Sequence, residues 1–244
     1  MRRIHRTSLD ADIAYALDSL QNDVNRLSDS GDFDPGTHWK GKRSSQAILA
    51  VFNTLKTMAG KHERCMYCVD SAGSDIEHFW PKRDYPGRIY LWENLLLACT
   101  PCGRLKGVKF PKDDEGLPLL VDPSTEDPWQ FLDFDPATGN ISARYLPAQE
   151  AFSRKGEETV KVLQLDRRQG VSEGYQRTYK RLCELVKSWN EAGIAEDYIE
   201  SLFEKDDHGL LGWFLRGSGQ DENVFSVFRQ RHPDAWKACC QRIE

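Results

Sequence analysis

The sequence predicts a mainly helical protein interrupted by one small, non-helical insert held by cysteines. Three observations carry that expectation. Apolar residues recur at helical spacing before residue 60 and again after residue 156. Between Lys61 and Pro111 this period vanishes, and short β-prone pieces alternate with Gly and Pro. The same stretch carries two matched pairs, Cys65-Met-Tyr-Cys68 and Cys99-Thr-Pro-Cys102, with thirty residues between them.

Composition narrows the class. The chain has 244 residues, with 33 Lys and Arg against 38 Asp and Glu, a formal charge of -5. That length suits one to two domains. Hydrophobic residues make up 39% and charged residues 29%, which allows a packed core and argues against wholesale disorder. No apolar run reaches the ~18 residues of a membrane-spanning helix, so no membrane association is expected. The opening MRRIHRTSLDAD has basic residues without an apolar stretch behind them, so it does not read as a secretory signal. Seven cysteines without an export signal point to a reduced, cytoplasmic setting and to metal binding rather than disulfides. A pI near 5.8 argues against nucleic-acid binding through bulk charge. The charge is uneven, however. Residues 1–43 carry seven basic and seven acidic side chains, residues 44–112 ten and six, and residues 113–244 sixteen and twenty-five. The basic segment is the one that holds the paired cysteines.

Three regions follow along the chain. Residues 1–60 form an N-terminal helical region. Ile13, Leu17, Leu20, Val24 and Leu27 make one helical stripe over about Asp10 to Ser28. Asp32 to Gly41, rich in Gly, Asp and Pro, reads as a loop. Ser44 or Ser45 then caps a helix with Ile48, Phe52, Leu55 and Met58 on one side. Residues 61–112 are the cysteine-bearing insert, with a short helix beginning near Pro101. Residues 113–244 start loop-rich, with three Asp-Pro pairs and a turn at Ala137-Thr138-Gly139-Asn140 before a strand over Ile141 to Tyr145. Helices follow over Glu157–Gln164, along a stripe of Val171, Tyr175, Tyr179, Leu182, Val186 and Trp189, and over Ile194–Phe203 and Asn223–Arg229.

The two CxxC pairs can put four thiolates around one ion, and tetrahedral sulfur suits a structural Zn²⁺. An insert of about fifty residues with few aliphatics needs such a staple. Cys183, Cys239 and Cys240 read as small apolar residues or surface thiols. Between the pairs lie Asp75-Ile-Glu77-His78 and, further on, Trp92-Glu-Asn94. Hydrolysis of a phosphodiester needs a base for water and a divalent ion for the developing charge. His78 has the right ordinary pKa for the base, and the adjacent Glu77 offers a hard oxygen to Mg²⁺ or Mn²⁺. In a strand Asp75 and Glu77 share a face and His78 takes the other, so all three meet one ion only where the chain bends after Glu77. Pro81 fits such a bend.

The segments CMYC, DIEHFWPK, WENLLLACTPC and LKGVKFP together resemble the zinc-stabilised HNH, or ββα-metal, endonucleases. Within that group the chain is most similar to the PtuB-like nucleases of Septu and retron-associated anti-phage defence systems. The opening MRRIHR, the segment from Leu119 to Pro123 and the run from Glu158 to Asp166 share the resemblance. It implies a mainly α protein with a small zinc-stabilised ββα-metal (HNH) nuclease core, with Cys65, Cys68, Cys99 and Cys102 on the structural zinc. It further implies His78 as general base, Glu77 as metal ligand, and Asp75 supporting the metal or orienting the histidine. Asn94 would brace the loop and the base, and Lys106 would contact phosphate. One position departs from the pattern. The family has Asn or His directly after the last cysteine as a second metal ligand, and this chain has Gly103. Water, Asp75 or a group from elsewhere would replace it, or the domain is a non-catalytic zinc-binding adaptor for DNA or an ATPase.

Lys82, Arg83, Arg88, Arg104, Lys106, Lys109 and Lys112 surround the expected site in sequence and are candidates for DNA phosphates. Trp80, Tyr85, Tyr90 and Trp92 are candidates for base stacking, with at least half of them expected to fill core instead. The acidic C-terminal helices suit a protein partner, and the resemblance names one: a PtuA-like ATPase in a hetero-oligomeric complex.

Overall fold

A computed structural model describes residues 1–28 and 33–243. The chain forms two compact units. One comprises residues 4–67 and 71–118; the other comprises residues 1–3, 68–70 and 119–244.

The unit of residues 4–67 and 71–118 begins with three helices. Helix α1 (Ala11–Ser28) follows the expected stripe and buries Leu17, Gln21 and Val24, while Leu27 is exposed. Helix α2 (Pro35–Lys42) replaces part of the expected Asp32–Gly41 loop, of which Asp32 lies outside the described residues. Its cause is local. The Asp34 carboxylate accepts from the backbone N–H of Gly36 at 3.1 Å and of Thr37 at 3.0 Å, and Pro35 takes the first turn, where its missing donor is harmless. The Asp-Pro-Gly composition that suggested a loop is a helix start. Helix α3 (Gln46–Met58) has Ser45 at the cap position, without a side-chain cap bond, and buries Ile48, Val51 and Leu55.

Strands β1 (Asp75–His78) and β2 (Leu95–Ala98) pair antiparallel, with Asp75 opposite Ala98 and His78 opposite Leu95. All four residues of β2 are buried, so this strand is the apolar floor of the unit. Helix α4 (Thr100–Lys106) follows directly, with Pro101 in its first turn, and packs on β1. The local order is therefore strand, strand, helix.

In the other unit, β3 (Leu132–Phe134) pairs with β4 (Ile141–Ala143) around the expected turn, where Asp135 accepts from the Ala137 N–H at 2.9 Å. The strand expected over Ile141–Tyr145 is shorter. Arg144 turns away to bond the Phe131 carbonyl, and β5 (Tyr145–Leu146) pairs instead with β6 (Ala151–Phe152). Helix α5 (Arg154–Leu163) lies against β4, and α6 (Gln169–Ala192) buries Val171, Tyr175, Leu182, Val186 and Trp189 of its expected stripe. Then come α7 (Tyr198–Lys205), α8 (Leu211–Arg216), α9 (Asn223–Arg231) and α10 (Pro233–Arg242). Helices α8 and α10 were not expected. In α8, Leu211, Trp213, Phe214 and Leu215 are all buried, so this short helix shows no amphipathic period. Among the described residues no helix is long and apolar enough to cross a membrane.

Candidate functional site

The four paired cysteines come together. Their sulfurs lie within 4.8 Å of one another and all four residues are buried. A tetrahedral Zn–S length of about 2.3 Å demands neighbouring sulfurs of this order. Backbone geometry prepares both pairs. The Cys65 N–H donates to Ser71, the Met66 N–H donates to Leu97 of β2, and Val69 takes the left-handed conformation with φ of 52°. Cys99 caps α4, and its carbonyl accepts from Gly103 one turn on. Among the described residues this is the one cluster of three or more Cys, His, Asp or Glu donors that could hold a metal ion such as zinc. Cys183, Cys239 and Cys240 lie outside it.

Beside the second cysteine pair, α4 delivers Lys106 to the end of β1. Lys106 is completely buried, and its Nζ donates to Glu77 Oε1 at 2.9 Å and to the His78 carbonyl at 2.7 Å. Burial pushes the Glu77 carboxyl up against the pull of the Lys106 ammonium, and pushes Lys106 down against the pull of Glu77. Lys106 is thus a buried tether of β1. Its ammonium is therefore committed to Glu77 and the His78 carbonyl, in place of the contact to phosphate that the resemblance implied.

His78 is 3% exposed, and its Nε2 lies 3.1 Å from the Ile89 carbonyl. A carbonyl only accepts, so Nε2 carries the hydrogen and Nδ1 keeps the lone pair. The ring also meets Trp39 edge-on, with centroids 4.5 Å apart. Burial, with Lys82 adding repulsion, pulls the imidazole down to about 3, so it is neutral at pH 7.

Asn94 is 2% exposed and makes three bonds to the segment after β1. Its Oδ1 accepts from the Trp80 N–H at 2.7 Å, and its Nδ2 donates to the carbonyls of Trp80 at 3.2 Å and Arg88 at 2.7 Å. It therefore clamps both ends of the loop that presents the Ile89 carbonyl to His78. Gln21 of α1 completes the clamp, accepting from the Tyr90 N–H at 2.8 Å and donating to the Pro86 carbonyl at 3.1 Å. Nothing in the sequence pattern marked Gln21 or Trp39; one sits in a stripe of apolar residues and the other in a presumed loop.

Asp75 departs from expectation. The chain stays extended through His78, and Phe79 still bonds the Asn94 carbonyl; the turn comes at Pro81, whose carbonyl accepts from Asp84 and Tyr85. The pleat therefore keeps Asp75 on the Glu77 side of β1 and off the His78 side. Asp75 is exposed and pairs with Arg43 at 3.9 Å. Asp75, Glu77 and His78 do not form a three-donor cluster. Glu77 Oε2 instead faces Gly103: a Cβ there would stand 3.4 Å from it, an ordinary contact, so a side chain at position 103 would fit facing the carboxylate.

The remaining cations line the surface of the unit. Arg83, Arg88, Arg104, Lys109 and Lys112 are exposed and Lys82 is half-buried. Arg88 lies over the Trp80 ring at 4.6 Å and Lys112 over Tyr85 at 5.6 Å. Trp80 and Tyr85 meet edge-on and both contact Phe110, half-buried, whereas Tyr90 is fully buried against Trp39. The indole N–H of Trp92 is committed to the Thr7 carbonyl.

No family model matches the chain. Two curated proteins are similar to it. The Septu protein PtuB of Bacillus mycoides (strain KBAB4) is 31% identical over 154 residues, covering 51% of this chain and 49% of that protein. The Septu protein PtuB of Bacillus thuringiensis is 27% identical over 148 residues, covering 56% of this chain and 52% of that protein. The chain spans about half the length of the curated relatives it matches.

Proposed function

We propose that this chain is a PtuB-like anti-phage defence protein whose nuclease is of the HNH type. In this reading it is a metal-dependent DNA endonuclease, working in the cytoplasm as the effector of its system. The observation that carries the reading is the arrangement of His78: a buried, neutral imidazole whose Nε2 donates to the Ile89 carbonyl, directly after the Glu77–Lys106 pair and beside the four-cysteine cluster. Similarity to two Septu PtuB proteins supports the defence role.

Residues 61–112 form the nuclease in this reading, flanked by residues 1–60 and 113–244. Cys65, Cys68, Cys99 and Cys102 hold Zn²⁺ and fix β1 and α4 relative to one another. Nδ1 of His78 takes a proton from the attacking water, and the Ile89 carbonyl keeps the ring in the tautomer that can do so. Asn94 and Gln21 hold that carbonyl in place. Lys106 fixes one oxygen of Glu77 and leaves the other directed toward the space above Gly103. A Mg²⁺ or Mn²⁺ ion on Glu77 would supply neutralisation of the scissile phosphate and leaving oxygen. Lys82, Arg83, Arg88, Arg104 and Lys109 contact DNA phosphates, and the C-terminal helices engage a PtuA-like ATPase.

The test is DNA nicking with Mg²⁺ or Mn²⁺, by the chain alone and with its ATPase. His78→Ala should abolish cutting while zinc content and folding stay intact; equal cutting by this variant removes His78 from the mechanism. Gly103 favours a second reading, a zinc-binding adaptor of DNA or ATPase that does not cut. DNA retention without cleavage under every metal supports that reading, and cleavage acquired in Gly103→Asn would locate the defect at the second ligand position.

A further inference from the structure

We propose that helix α2 is a wall of the substrate path, and that the exposed cations at its C-terminal end, Lys40, Lys42 and Arg43, contact the nucleic-acid backbone. The inference rests on the nuclease reading above and adds a surface from outside the cysteine-bearing segment. Residues 1–43 are neutral in sum, so the regional charge balance hides the local run Lys40-Gly41-Lys42-Arg43.

Two contacts fix α2 beside the site. Trp39 is buried with its ring against His78, centroids 4.5 Å apart, and Arg43 reaches Asp75 at the start of β1 at 3.9 Å. Trp39 and Arg43 are four residues apart, so one side of the helix end meets both ends of β1. His38 adds a third tie, its Nδ1 lying 3.0 Å from the Tyr90 hydroxyl. At the other end of the helix, Arg83 acts on the capping Asp34 and helps hold its carboxyl below the usual range, behind the larger effect of the Thr37 hydroxyl.

Lys40, Lys42 and Arg43 are all exposed. The Arg43–Asp75 pair is more than half exposed on both sides, at 55% and 59%, so water and salt screen it strongly. A phosphate offers the guanidinium a doubly charged-assisted partner of better geometry, and Arg43 can exchange Asp75 for it at little cost. The competing role for these cations is to complement the negative end of the α2 dipole. That role predicts a change in stability; substrate contact predicts a change in affinity and in its salt dependence.

The full-length chain carrying His78→Ala provides a parent that binds without cutting. Its affinity for a labelled DNA duplex is measured by anisotropy from about 50 to 200 mM salt, with and without Lys40→Gln/Lys42→Gln. Each lost phosphate contact lowers the slope of log K against log salt by about 0.9, so the double variant should lose close to two. Its melting temperature should match that of the parent. In the cutting-competent background, KM should rise with kcat unchanged. An unchanged slope and affinity, with the parent still binding DNA, overturns the role of α2 and leaves the nuclease reading intact. A lowered melting temperature with an unchanged slope assigns the lysines to the helix dipole and overturns it too. A parent that binds no duplex at any salt overturns both readings together.

Discussion

His78 is neutral because burial makes its charged form costly, and this ties the stability of the fold to pH. Its folded pKa, about 3, lies below the ordinary value of 6.5 that it regains on unfolding. Between these values the unfolded chain binds a proton that the folded chain refuses, so stability falls as pH drops from about 6.5 toward 3 and is fully present above 6.5. Urea unfolding at pH 7 and pH 5 should show a larger loss for the native chain than for His78→Gln; equal losses would mean that the imidazole is protonated in the folded state. Asn94 makes a second prediction. Its three bonds satisfy the Trp80 N–H and the carbonyls of Trp80 and Arg88. Asn94→Ala should cost roughly 1–3 kcal/mol, because part-buried backbone groups lose their partners. Denaturant midpoints check the magnitude, and a cost near zero would show that water replaces the amide. The chemical types at His78, Glu77 and Asn94 were legible in the sequence. The burial of Lys106 was not, since a lysine in a basic run reads as surface until a carboxylate and a carbonyl are seen to take its ammonium out of water.

The longer helices were predictable from their amphipathic spacing, whereas the short C-terminal α10 was not. The stripe of α6 buries most of the residues its spacing selects, whereas α1 buries Leu17 and Val24 of its stripe and α3 buries Ile48 and Leu55. Helix α8 was invisible because it is short and Leu211, Trp213, Phe214 and Leu215 are all buried, and α2 because capping by Asp34 outweighs a poor composition of Gly and Pro. Close packing between elements supplies a test that no periodicity suggests. Gly156 in α5 brings that helix so near β3 and β4 that a Cβ would stand 2.1 Å from the Phe131 carbonyl oxygen and 3.2 Å from the Ala143 Cα. Gly156→Ala should therefore destabilise the chain by about 1–3 kcal/mol through overpacking, despite the better helix propensity of alanine. A thermal melt that rises instead would mean that α5 can shift outward without loss.

At the scale of the whole molecule, two compact units share one chain, and four buried thiols come within reach of one ion. Removal of zinc by a strong chelator should lower the melting temperature, and Cys99→Ser should reproduce the effect in untreated protein; a chelated protein that melts unchanged would show that the four thiols pack without an ion. The sequence by itself determined the helical class, the paired cysteines and the basic character of residues 44–112, because each is a matter of composition or short-range spacing. The tertiary structure decided what those residues face. It brought Gln21 and Trp39 from the N-terminal helices to the loop and ring of His78, buried Lys106, and turned Asp75 toward Arg43. The physical reason is that periodicity reports which side of an element avoids water, whereas hydrogen-bond partners and local dielectric arise from segments dozens of residues apart.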